Sequence, residues 1–117
     1  MAYAGKRFTK IVLIGNPVAH SLSPAMHNAL YQHLSHEDWR FGGWSYSALC
    51  CKDEEEAVFQ IARVRTGEYR GMNITMPFKR LALQQAAYID PAADAAGGDN
   101  VLVRKGYDLY AYNTDGL

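Results

Sequence analysis

A chain of 117 residues, 49% hydrophobic and 21% charged, has the size and make-up of one globular domain with a core of moderate size. Twelve Lys and Arg against twelve Asp and Glu leave no net charge, which excludes a surface built as a whole to attract nucleic acid or an anionic membrane but allows a local anion site. No stretch approaches the roughly 20 apolar residues of a membrane span, and the opening MAYAGKRFTK has no long apolar segment before a cleavage-like site, so neither membrane insertion nor a signal peptide is expected.

The run at 8–14 is compact, apolar and rich in β-branched residues, and it ends at Gly15-Asn16-Pro17. This predicts a buried strand closing in a turn. Ser23 as N-cap and Pro24 at the first helical position open a helix whose apolar face is Met26, Leu30, Tyr31 and Leu34. Residues 39–51 read as a second strand, weakened or bulged at Gly42-Gly43. At its end stand adjacent cysteines, Cys50 and Cys51; a bridge between neighbours is strained and no third cysteine exists, so both are expected as reduced thiols of a cytoplasmic protein.

Asp53-Glu54-Glu55-Glu56 places acids in the first turn of a second helix, where the helix dipole favours them, and the apolar positions continue through Val64 to a stop near Gly67. A short strand at 70–75 and a third helix at 79–88 follow. Residues 91–98 read as a helical turn and loop, and strands at 100–104 and 108–112 are joined at Lys105-Gly106-Tyr107 as a hairpin. The order β-α-β-α-β-α-β-β predicts an α/β fold: a layered αβα domain with a mainly parallel sheet, to which the C-terminal hairpin adds an antiparallel element.

In such sheets ligands sit beyond the carboxyl ends of the strands, and the polar clusters at 16–23, 73–79 and 113–115 fall there. Ser21 and Ser23 offer two hydroxyls beside a helix start, a seat for a carboxylate; His20 between the cluster's turn and the serines reads as a packed loop residue. Asn73 and Thr75 alternate along one strand end and suit substrate hydroxyls. Lys79 opens a helix, where a cation is disfavoured, so its ammonium has a reason to give up a proton. Asp115 nearby would hold that ammonium and raise its pKa, opposing the helix. His33 and His36 are three apart on a helix end, and no metal site is expected. Gly15-Asn16-Pro17 follows a strand but holds one glycine, and no G-x-G-x-x-G occurs, so no dinucleotide loop is expected in these residues.

GNPVAHSLSP, GMNITMPFKR, GGDNVLV and AYNTDG, in this order and at these intervals, resemble the N-terminal substrate-binding domain of the shikimate dehydrogenase family over essentially the whole chain. The resemblance implies NADPH-dependent reduction of 3-dehydroshikimate to shikimate in aromatic amino-acid biosynthesis. It implies that Ser21 and Ser23 bind the substrate carboxylate, that Asn73, Thr75 and Asn100 bind ring hydroxyls, and that Lys79 and Asp115 form the catalytic pair. It also implies that residues 1–117 are one substrate-binding domain, with NADP held by a Rossmann domain absent from them, so that the chain alone binds substrate without turnover. Shikimate or quinate as substrate, and assembly as a homodimer, stay open. Two positions depart from the family's pattern: Asp99 is an acid where an aliphatic residue is usual, and Val101 lacks a hydroxyl. They keep a rival expectation in view, a non-catalytic module that binds a small hydroxy-carboxylate or mediates assembly.

Overall fold

The computed structural model describes residues 9–18, 23–38, 42–91 and 100–113. Its elements are β1 (Thr9–Gly15), α1 (Ser23–Glu37), β2 (Trp44–Cys50), α2 (Glu54–Arg65), β3 (Gly71–Ile74), α3 (Lys79–Gln85), β4 (Tyr88–Ile89), β5 (Asn100–Lys105) and β6 (Asp108–Asn113). Among the described residues they form one six-stranded sheet in the order β2-β1-β3-β5-β6-β4. β1 runs parallel to β2 and β3, and β4 parallel to β6, while β5 is antiparallel to both its neighbours. One reversed strand in an otherwise co-directional sheet is the α/β architecture expected. The hairpin is not an appendage to it: β5 lies against β3, and β6 resumes the common direction.

Period-two alternation along β1 assigns its side chains to two layers. Val12 and Ile14 join Met72, Ile74, Leu102, Leu109 and Ala111 under Ala57, Ile61 and Val64 of α2 and Leu81 and Ala82 of α3. Leu13 enters a smaller cluster with Val18, Tyr31 of α1 and Tyr46 of β2, with Ile11, Trp44 and Ala48 packed against it. The sheet therefore has α2 and α3 on one face and α1 on the other.

Local chemistry explains most of the boundaries. The Asp53 side chain caps α2 by accepting from the Glu56 N–H at 2.9 Å, which satisfies one orphan donor of the helix start, and the Glu56 carboxylate reaches back to accept from the Lys52 N–H, just before the cap, at 3.0 Å. β2 begins later than the sequence suggests, at Trp44, because Gly43 turns the chain at φ 110 and its carbonyl accepts from the Thr9 N–H. Ser23 is the first residue of α1 instead of its N-cap, a shift of one position.

The third helix needs a larger correction. It stops at Gln85, not at residue 88, because the chain turns extended at Ala86 and pairs with β6: Ala87 N–H donates to Leu109 O at 2.8 Å and Asp90 N–H to Ala111 O at 2.9 Å. Tyr88, with its ring 5.3 Å from that of Tyr110, is a strand residue here, as β-propensity favours.

Candidate functional site

The carboxyl ends of β1 and β3 and of β6 lie side by side, and because β5 runs in reverse its first residue, Asn100, joins them. Ile14 is level with Ile74, Ile74 with Asn100, and Asn100 with Asn113. Asn100 and Asn113 are 0% and 1% exposed. Each is two residues along its strand from a core side chain, Leu102 and Ala111 respectively, so both lie on the α2/α3 face at the top of the apolar core. Among the described residues, neither Oδ1 nor Nδ2 of Asn100 has a hydrogen-bond partner. Leaving such an amide buried and unmet costs about 1–3 kcal/mol, which apolar side chains around it would not incur.

Asn73 stands on the same edge but on the opposite face, level with Leu13 of the α1-side cluster. It is half-buried and lines a cleft of about 690 Å³ with His27, Tyr31, Tyr46 and Val101, and the cleft runs on to Arg70, Arg104 and Lys105 at the amino end of β3. The walls are aromatic and ordered: the His27 ring stacks on Tyr46 at 4.2 Å, and Tyr31 meets Trp44 edge-on at 5.5 Å. Burial pushes the Tyr31 hydroxyl pKa above its usual value. Val101 is level with Asn73 on the neighbouring strand, so the side chain that departs from the family's pattern faces this same cleft.

Thr75 and Lys79 are set by the β3–α3 turn. Thr75 N–H donates to Ile14 O at 3.0 Å, Phe78 N–H to Thr75 O at 3.1 Å, and Ala82 N–H to Phe78 O at 3.0 Å. Phe78 precedes α3 and its ring is buried in the main core, which anchors the position of Lys79, the first helical residue. Lys79 is half-buried and lines a second cleft, of about 580 Å³, with Arg80, Leu83, Gln84 and Ile89. Met76, between Thr75 and Lys79, is 74% exposed, the most open apolar side chain at this edge among the described residues.

Of the residues singled out from sequence, Asn73, Thr75 and Asn100 fall at one edge, with Asn113 beside them, while Lys79 follows on the β3–α3 turn and lines a different cleft from Asn73. Ser21, Asp99 and Asp115 lie outside the described residues, and so does His20. Ser23 opens α1, and its side chain is likewise outside the description.

Gly15 was read as part of a turn and Asn16 as the start of a polar cluster, and the structure gives both more to do. Asn16 donates its N–H to Met76 O at 3.0 Å and its side-chain Nδ2–H to Cys51 O at 3.1 Å; Cys51 N–H returns to Gly15 O at 3.2 Å. A Cβ on Gly15 would overlap the methyl of Thr75, lie 2.9 Å from Val18 Cγ1 and sit 3.1 Å from Met76 O. Gly15 is not in the left-handed region, so glycine is needed there for space. The signal was a glycine at a strand's carboxyl end, which often marks close backbone approach; the group approaching could not be named from sequence.

Cys50 is exposed and Cys51 buried, both as thiols. Burial pushes the Cys51 thiol pKa up, and the charges of Glu56, Cys50 and Asp53 add to the rise. Among the described residues no group of three or more His, Cys, Asp or Glu is placed to hold a metal ion, and no helix is long and apolar enough to cross a membrane. The space beside Gly15 is filled by Thr75 and Val18, and the start of α2 is taken by the Asp53 carboxylate.

The family model for the shikimate dehydrogenase substrate binding domain matches residues 13–102. The chain belongs to that family. The matched span contains Ser21, Ser23, Asn73, Thr75, Lys79 and Asn100, and stops short of Asp115. Shikimate dehydrogenase (NADP(+)) of Bacillus cereus is 37% identical over 106 residues, which are 90% of this chain and 35% of that protein. The crystal structure of shikimate 5-dehydrogenase from Thermus thermophilus in complex with shikimate superposes with a TM-score of 0.76 at 33% identity, covering 92% of this chain and 39% of that one. A 5-ketofructose reductase of Gluconobacter has a TM-score of 0.78 at 24% identity over 96% of this chain and 38% of its own, a likeness of fold alone. The chain thus spans about a third of the length of the curated relatives it matches.

Proposed function

We propose that this chain is the substrate-binding half of an NADP-dependent shikimate dehydrogenase, and that residues 1–117 act as one such domain. The observation that carries the reading is the Asn100 amide: buried, unmet among the described residues, and set at the carboxyl edge between Ile74 and Asn113. A polyhydroxylated ring acid is the kind of ligand that would satisfy it. Asn100 meets one ring hydroxyl from the α2/α3 side, while Asn73 and Thr75 meet others from the α1 side. Ser21 and Ser23, before and at the start of α1, take the carboxylate. The curated relatives named for shikimate and NADP(+) support this assignment, as does the shikimate complex of the Thermus protein.

The chemistry assigned to these residues is confined to binding and to one proton. Reduction turns the substrate carbonyl into a hydroxyl, so a proton must reach that oxygen. Lys79, held by Phe78 at the rim of the edge, donates it, and Asp115 orients the ammonium. The NADP site is assigned to a domain other than these residues, in keeping with the filled turn at Gly15. The isolated chain binds shikimate without turnover, in the cytoplasm, with no role for nucleic acid or membrane.

Asn100→Val tests the reading, because Val is much closer to Asn in volume than Leu is, suits a strand and has no polar atoms to satisfy. An amide kept for a ligand is a stability cost. The variant is expected to melt at or above the wild-type temperature and to bind shikimate at least about tenfold more weakly, the equivalent of ~1.4 kcal/mol. Lower melting with unchanged binding would make Asn100 a structural residue and remove the main support for the proposal.

A further inference from the structure

We infer that Asn16 is a positioning residue of this edge, holding the turn that carries Thr75 and Lys79 in register with the turn that leads to Ser21 and Ser23. The inference rests on the reading of the edge as the shikimate site and adds to it a residue that does not touch the ligand. Three strand ends must keep a fixed spacing for groups on β1, β3 and β5 to meet one small molecule, and catalytic or binding constellations tolerate only about half an ångström of drift. Backbone ladders fix the strands, but they end at Gly15, Cys50 and Ile74. Beyond that line Thr75 N–H to Ile14 O and Cys51 N–H to Gly15 O each continue one pairing, and Asn16 adds a bond to both neighbouring turns. Its N–H reaches Met76 O at 3.0 Å across the gap to the β3–α3 turn, and its side chain reaches Cys51 O at 3.1 Å across the gap to the β2–α2 turn. One residue therefore joins three turns, two of which bracket the proposed substrate groups.

The placement separates positioning from stability. Asn16 is exposed, and its side-chain bond to Cys51 O is part-buried at the margin of the main core, so its loss is expected to change stability modestly. The nearby core anchors, Ile14, Val18 and Phe78, do not depend on its side chain. Removing that side chain leaves the fold and loosens the turn. With the turn free to move, the Asn16 N–H loses its fixed direction toward Met76 O, and the segment from Met76 to Lys79 is left with the Thr75 N–H to Ile14 O bond as its backbone tie to β1.

The test compares Asn16→Asp, which keeps the shape and removes the donor, with Asn16→Gln, which keeps the donor on a longer arm, in the 117-residue chain. Three quantities are read: melting temperature, hydrogen-exchange protection of the residue-16 amide, and shikimate affinity by amide shifts. Asn16→Asp is expected to melt within a few degrees of wild type, to lose most protection at the residue-16 amide while the Thr75 amide stays protected, and to bind shikimate about tenfold more weakly. Asn16→Gln is expected to recover part of both losses. Unchanged protection and unchanged affinity in Asn16→Asp would overturn the inference while leaving the substrate reading intact. A large fall in melting temperature with no recovery in Asn16→Gln would also overturn it, as the mark of a merely structural residue. If the wild-type chain itself does not bind shikimate, the substrate reading fails, and the exchange at residue 16 still decides whether Asn16 holds the turn.

Discussion

Gly15→Ala adds one methyl at the point where the β3–α3 turn crosses β1. That methyl would overlap Thr75 Cγ2, lie 2.9 Å from Val18 Cγ1 and sit 3.1 Å from Met76 O. Two side chains and a backbone carbonyl are in contact at once, and the Asn16–Met76 and Thr75–Ile14 hydrogen bonds oppose a shift of the turn. Overpacking of this kind costs about 1–3 kcal/mol. At about 2.1 cal/mol/K per residue of unfolding entropy, a chain of this length loses roughly 4 °C per kcal/mol, so the melting temperature should fall by roughly 4–12 °C. Gly71→Ala is the control. Its Cβ would meet Leu102 O at 3.6 Å and Val103 Cγ1 at 3.8 Å, ordinary contact distances, and such a change is neutral or stabilising by up to about 1 kcal/mol through the unfolded chain. Thermal unfolding followed by far-ultraviolet circular dichroism compares the two, and amide shifts at Thr75, Met76 and Lys79 report whether the turn has moved. Equal melting temperatures for the two variants, with no shifts at the turn in Gly15→Ala, would refute the steric reasoning.

The hydrogen bonds from Arg63 to Glu68, at 2.6 and 2.7 Å, hold the Glu68 carboxyl pKa below its usual value. The stability this adds is present above the unfolded-state value of about 4.3 and is lost as pH falls through the lower folded value. The melting-temperature difference between wild type and Glu68→Gln should therefore be constant above about pH 5 and shrink below pH 4 or so; a difference that does not change with pH would contradict the pairing. In a protein that joins this chain to an NADP-binding domain, Lys79→Ala should lower kcat by at least about a hundredfold with a much smaller change in KM, as expected for a proton donor. A rise in KM alone would reassign Lys79 to binding.

Much of the fold is legible in the chain because period and punctuation agree. The β-branched run before Gly15, the acidic start of α2 and the Gly106 hairpin each mark an element by local chemistry. β4 is not legible, because Tyr88 continues the apolar content of α3, and only pairing of Tyr88 and Ile89 with β6, more than twenty residues on, draws the chain into a strand there. The insertion of β5 beside β3 is likewise a non-local choice: a hairpin signal gives its direction relative to β6, not its neighbour on the other side.

The same division runs through the site. Strand-end polarity brings out Asn73 and Thr75, and the helix start brings out Lys79, without any structure; Asn100 comes from the family resemblance. That Asn73 and Asn100 approach from opposite faces follows only from the register of Asn73 with Val101 and of Ile74 with Asn100. The need for glycine at 15 depends on a methyl from Thr75, and the reach of Asn16 on carbonyls from Met76 and Cys51. No local pattern encodes such contacts.

The central claim is that this edge binds shikimate. Titrating shikimate into the 117-residue chain while following backbone and Asn side-chain amides tests it most directly. The account predicts saturable shifts at Ser21, Asn73, Thr75, Lys79 and the Asn100 side-chain amide at millimolar ligand, with the exposed face of α2 around Val58 and Phe59 unmoved. No saturable shift at the five named residues, or shifts centred on that face of α2, would contradict it.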